Sequence, residues 1–261
     1  MKKEIKITVP KNYSAVSLKK YLKIQDDLET YKDDKEAQDA FVLYNIIGLT
    51  PQIINKLDSK TIANIKNDMK SFLNKVDFEL QKIVTIDGVK YGFEPNLSKM
   101  AYGAYLDLSS HKELSINKDW KKIMNILYRP ITNTRGALYS IETYDSDIQD
   151  NEDKWLDVSM DVHFGCFFFL QSYLQGIVER YPEIFDGGGI EGPGSESAHQ
   201  ANFGAKWGPY QSIVILANDD LLKFDDIVKR PLEECLLNLA YRADKNQLDS
   251  LIHKANMRKY K

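Results

Sequence analysis

The sequence predicts an α+β protein, predominantly α-helical: a helical bundle around one central apolar helix, with a small antiparallel β-hairpin element. Three observations carry this expectation. Apolar side chains recur at helical spacing from Trp155 to Tyr181, at Leu156, Met160, Phe164, Phe167, Leu170, Leu174, Ile177 and Tyr181. Between Phe164 and Leu170 every residue is apolar or glycine, so this helix is expected to be enclosed on all sides. Asp87-Gly88, flanked by β-branched and aromatic runs, supplies the positive backbone angles of a tight hairpin turn.

Taken in order, Glu4–Val9 alternates polar and apolar residues before Pro10, the pattern of a short strand able to pair with the hairpin. Ser17 is placed to cap a helix through about Thr30. A second helix is expected over Lys35–Ile47, closed by Gly48. Thr50-Pro51 starts another, and Ser59 caps one reaching about Val76. The hairpin follows, with strands over Lys82–Ile86 and Val89–Glu94. Asn96 caps a helix through Leu106, and Ile116–Tyr128 forms another that ends where Pro130 forces Arg129 into extended geometry. Leu138–Tyr144 is a further strand candidate, followed by the solvated acidic tract Asp145–Asp153.

After the apolar helix, Asp186–Gly204 reads as a long glycine-rich loop. Tyr210–Ala217, Phe224–Lys229 and a terminal helix from Pro231 complete the chain. In that terminal helix the apolar stripe thins beyond Tyr241. The expected division is 1–80, a strand and short helices; 81–185, hairpin and helices including the apolar one; 186–206, the loop; and 207–261, a C-terminal helical module.

Composition narrows the function classes. The formal net charge is -3 and acids and bases are interspersed, which argues against a nucleic-acid partner. Small basic clusters stand at both ends, at Lys2, Lys3 and Lys6 and at Lys254, Arg258, Lys259 and Lys261, and solvation accounts for them. Two cysteines, Cys166 and Cys235, are too few for a disulfide framework or a thiolate zinc site and are expected as buried small hydrophobes. No apolar run approaches the roughly 20 residues that span a bilayer, and KKEIKITV lacks a signal-peptide core, so no membrane partner is expected.

Each local chemical motif has a weaker rationale than its structural reading. Gly187–Gly192 matches G-x-G-x-x-G but follows a helix, whereas the dinucleotide motif leaves a strand and opens a helix. Ser195, Ser197 and His199, with Glu191, could make a hydrolase site, but neither serine has the frame of a nucleophile elbow. Asp157 and Asp161 lie one helical turn apart and suit a helix N-terminus better than a metal. His163 and Cys166 offer two ligands without a second pair. In the acidic tract, Asp150 stands where a calcium loop needs glycine. We therefore expect no catalytic residues, no cofactor and no metal, with a hydrolase using the loop's Ser, His and Glu residues as the alternative of a different class.

The segment from Phe203 to Val228, with Trp207-Gly208-Pro209-Tyr210, Leu216-Ala217-Asn218-Asp219-Asp220 and Lys223-Phe224-Asp225-Asp226-Ile227-Val228, continues to Leu239-Ala240-Tyr241. It resembles a helical module in tail-region assembly proteins of bacteriophages. Upstream, Ile86-Asp87-Gly88-Val89-Lys90-Tyr91-Gly92-Phe93, Tyr105-Leu106-Asp107-Leu108 and Ile126-Leu127-Tyr128-Arg129-Pro130-Ile131 resemble proteins of tailed phages, including the crAss-like group. The resemblance implies a non-enzymatic virion morphogenesis protein acting through protein–protein contacts in the tail or head–tail region, such as a portal-proximal ring or adaptor. A transient tail assembly chaperone that binds an apolar helical tail protein is the alternative. Partners would be other phage structural proteins, with an oligomeric state, in the virion or the cytoplasm of the infected bacterium. The residues expected to carry contacts are Trp207, Tyr210, Leu248, Leu251 and Ile252.

Overall fold

The computed structural model describes residues 7–73, 78–110, 114–145, 151–185 and 195–259. Helices α1 (Leu18–Thr30), α2 (Lys35–Ile47), α3 (Pro51–Ile54) and α4 (Ser59–Leu73) precede strands β1 (Ile83–Ile86) and β2 (Val89–Phe93). Then come α5 (Tyr102–Ser110), α6 (Trp120–Leu127), β3 (Tyr128–Arg135) and β4 (Leu138–Ile141). The chain ends with α7 (Met160–Arg180), α8 (Pro182–Phe185), α9 (Ser195–Ala217), α10 (Phe224–Val228) and α11 (Leu232–Lys259). The protein is mostly helical, and its strands form an antiparallel sheet in the order β1-β2-β3-β4, so the class is α+β. Among the described residues no helix is long and apolar enough to cross a membrane.

Capping chemistry sets the first helices. Ser17 Oγ accepts the Lys20 amide at 3.4 Å, Asp34 accepts that of Ala37 at 3.0 Å, and Gly48 takes the left-handed conformation, φ 73°, that closes α2. The cap of α4 is Asp58 rather than the expected Ser59. Its two carboxylate oxygens accept the Thr61 amide at 2.9 Å and the Thr61 hydroxyl at 2.7 Å, one each. Those hydrogen bonds hold the Asp58 carboxyl below its ordinary range.

The hairpin forms as read: Asp87 has φ 48° and Gly88 φ 81°, and Ile86 pairs with Val89. Its outer neighbour on the β2 side is β3, which the sequence reading treated as a helix end. Helix α6 stops at Leu127, and the extended geometry that Pro130 imposes on Arg129 continues as strand, with Pro130 opposite Tyr91. The expected N-terminal strand has residues 4–6 outside the described chain, and 7–9 carry no regular structure.

Three helix boundaries shift for one reason, the insertion of a backbone bridge. The helix expected from Trp155 begins at Met160, after a 3-10 turn over Glu152–Asp157. Between them Val158 O accepts the Leu18 amide and the Met160 amide reaches Val16 O, an extended bridge that a continuous helix could not make. The helix expected from Asn96 likewise becomes a 3-10 turn followed by α5, because Ala101 bridges Pro231 and the Tyr102 amide donates to Arg230 O. The same bridge at Pro231 delays the start of α11 to Leu232. Helix α9 begins at Ser195, inside the segment expected to be loop; the glycine cluster ends at Gly194, and Ser195–Ala201 is compatible with helix. Residues 186–194, including Gly187–Gly192, lie outside the described chain.

Contacts divide the chain into two interleaved units, Met1–Phe93 with Ser115–Pro130 and Asp150–Phe169, and Glu94–Leu114 with Ile131–Gln149 and Leu170–Lys261. In the first, Leu18, Trp120, Met124, Leu127, Trp155, Met160 and Cys166 are fully buried. Phe164 packs at 4.9 Å on Tyr13 and 4.8 Å on Phe78, and Trp155 sits between the rings of Tyr91 and Tyr128. In the second, Met100, Tyr102, Leu170, Ala217, Leu232 and Leu236 form the core, and the Tyr102 hydroxyl donates to Ser212 Oγ at 2.7 Å. The apolar run of α7 is not enclosed on every side. Phe168 and Phe169 leave 41% and 42% of their surface exposed, although Phe78 stacks on the first and Phe93 meets the second edge-on.

Candidate functional site

Helix α11 has two unlike halves. Its first turns are held by burial of Leu232, Cys235, Leu236 and Ala240 and by Glu233, which accepts the Tyr181 hydroxyl at 2.8 Å and meets the Arg180 guanidinium at 3.3 Å. Arg242 then ties the helix to Asn218 at 2.7 Å. From Asp244 to Arg258 every residue is exposed. An isolated helix of this length is marginal in water, since most helical stability in proteins comes from packing an apolar face.

That exposed half carries such a face. Leu248 and Leu251 are each 57% exposed and Ile252 is 49% exposed, at the i, i+3, i+4 spacing that puts them on one side. Leu237 and Tyr241, both 63% exposed, extend the stripe toward the N-terminus, off the face that buries Cys235 and Leu236. The sequence reading missed these two. The 4-7-4 spacing of 237, 241, 248 and 252 could have found them, had the stripe not been traced through the buried set beginning at Leu232.

The other expected contact residues lie on α9. Trp207 and Tyr210 are 41% and 48% exposed, their rings 6.0 Å apart, and Tyr210 meets Phe224 edge-on at 5.7 Å. The Lys206 ammonium stands 4.8 Å over Trp207. An amphipathic aromatic pair of this kind, backed by a third ring and open on its outer side, suits a protein interface.

Two of the candidate chemical groups, His163 and Cys166, are enclosed in the core. His163 is fully buried between two tryptophans: the Trp120 indole donates to Nδ1 at 3.1 Å, and Nε2 faces Trp155 O at 3.2 Å. Burial lowers its pKa to about 4, so the ring is neutral. Cys166 is buried and its thiol is pushed well up, which leaves it protonated and unreactive. Asp161 accepts from Gln81 at 3.0 Å, and Asp157 lines a cleft beside β1. Ser195, Ser197 and His199 fall on α9, and Glu191 lies outside the described residues. Among the described residues no group of three or more His, Cys, Asp and Glu side chains could hold a metal ion. Comparison with protein-family models, curated proteins and solved structures gives no match to this chain.

Proposed function

We propose that this chain is a non-enzymatic protein of tailed-phage virion morphogenesis, a helical bundle around α7 that works through protein–protein contacts in the tail or head–tail region. Its place would be the virion or the infected cell's cytoplasm, among oligomeric structural partners. The observation that carries the contact reading is the solvent-exposed half of α11. A helix that presents Leu248, Leu251 and Ile252 to water gains its packing when a partner covers them. The resemblance of residues 203–245 to tail-region assembly modules supplies the phage context. The same stripe also suits a chaperone that shields an apolar helical tail protein, and the presence or absence of the chain in finished particles separates the two.

Replacing Leu248 and Leu251 together by aspartate tests the surface. Since both residues are exposed and α11 packs through its other half, stability should stay within about 1 kcal/mol of the parent. Incorporation into particles, or co-purification with the assembly partner, should fall at least tenfold, the cost of a charge in an apolar interface centre. Full incorporation of the double variant would remove α11 from the account.

A further inference from the structure

The geometry points to a second binding site, a groove along the free edge of β1 that takes a basic, extended segment of a partner protein as an added strand. This rests on a different part of the molecule from the α11 surface and stands or falls independently.

The sheet order leaves β1 paired on one side only, and among the described residues nothing bonds its other edge. Which groups that edge offers follows from the hairpin. A two-residue turn makes Ile86 and Val89 a hydrogen-bonded pair, and alternation makes Val84 and Tyr91 the next. The amide and carbonyl of Ile83 and of Thr85 therefore point away from β2. Both residues are exposed, Ile83 by 45%.

A cleft of about 480 Å³ lies along this edge. It is lined by every residue from Ile83 to Asp87, side chains of both faces of the strand in succession, and so it borders the edge rather than one face of the sheet. The opposite wall is the segment from Asp157 to Ser159 with Val162. A strand entering here gains two donors and two acceptors from β1 and sets alternate side chains against Ile83 and Val162.

The charge in and around the groove selects the occupant. Asp87 and Asp157 line it. Behind Gln81, Asp161 uses one carboxylate oxygen to accept from that side chain, while the other oxygen is buried with no donor. The one lining lysine, Lys154, holds its ammonium 4.6 Å over the Tyr91 ring. Two lining carboxylates, with Asp161 behind them, against one ammonium already engaged with a ring favour lysine or arginine on the incoming strand.

The test uses the full-length protein, isotope-labelled for NMR, and the acetylated and amidated peptide Thr-Val-Lys-Val-Lys-Val-Thr. Binding should shift the amides of Ile83 and Thr85 and those of residues 157–162. A version with glutamate for lysine should bind at least about tenfold more weakly, as should one N-methylated on the backbone groups that face β1. Thr85→Pro, which removes an edge donor without touching the β2 ladder, should weaken the parent peptide similarly. Shifts confined elsewhere, equal affinity of the N-methylated peptide, or no binding at millimolar concentration would overturn the proposal.

Discussion

Replacement of Gly165 by alanine should destabilise the protein by about 3 kcal/mol, although alanine in a helix is ordinarily worth about 1 kcal/mol more than glycine. The reversal comes from one crossing. A Cβ at Gly165 would stand 2.3 Å from Glu79 O and 2.9 Å from Glu79 C, distances at which backbone must move. The backbone there is pinned. Phe78 packs tilted on Phe164 and stacks on Phe168, and the Tyr128 hydroxyl donates to Gln81 O at 2.7 Å. Gly176, on the same helix, is the control, because a Cβ there meets nothing within 4 Å. Gly176→Ala should leave stability equal or raised by up to about 1 kcal/mol. The urea midpoint should fall for Gly165→Ala and hold or rise for Gly176→Ala; a Gly165→Ala protein as stable as the parent would remove the close crossing.

Acid should weaken the fold well before the carboxylates titrate, through His163. The Trp120 indole occupies Nδ1 as a donor, so the ring's single proton sits on Nε2 and is donated to Trp155 O. A second proton would have to enter at Nδ1, against an indole N–H and without solvent. Burial accordingly lowers the group from 6.5 to about 4, outweighing the Trp155 carbonyl and the nearby Asp161 carboxylate, which favour the charged ring. The unfolded chain binds this proton below pH 6.5 and the folded protein only below about 4. The contribution is complete above 6.5 and falls away as pH drops through that window. Between pH 7 and 4.5 the loss should be about 2 kcal/mol. His163→Phe, although less stable at neutral pH because two hydrogen bonds lose a partner, should show that much less acid dependence over the same interval. Identical pH slopes for the two proteins would contradict the neutral buried ring.

What the sequence made legible was local chemistry. Ser17, Gly48 and Asp87-Gly88 each act through groups within five residues, and each sits where periodicity and turn rules put it. The misreadings arise where a distant stretch of backbone decides. Val158–Met160 and Met100–Tyr102 carry helix-compatible residues, yet both are drawn out to bond strand-like partners at Val16–Leu18 and Arg230–Leu232. Strand β3 was hidden because proline ordinarily excludes an interior strand, and Pro130 is tolerated opposite Tyr91. The α11 surface was partly legible: Leu248, Leu251 and Ile252 stood out as a stripe, but only the structure separates them from the buried Leu232, Cys235 and Leu236 of the same helix. The β1 groove had no sequence signal, since an unpaired edge is a property of sheet order.

The virion reading is tested most directly by quantitative mass spectrometry of purified, cross-linked phage particles from a lysate in which this chain is expressed. The account predicts a fixed copy number per particle, with cross-links from Lys245 and Lys254 on the exposed half of α11 to another structural protein. A chain absent from particles, and monomeric in extracts of infected cells at the time of assembly, would contradict it.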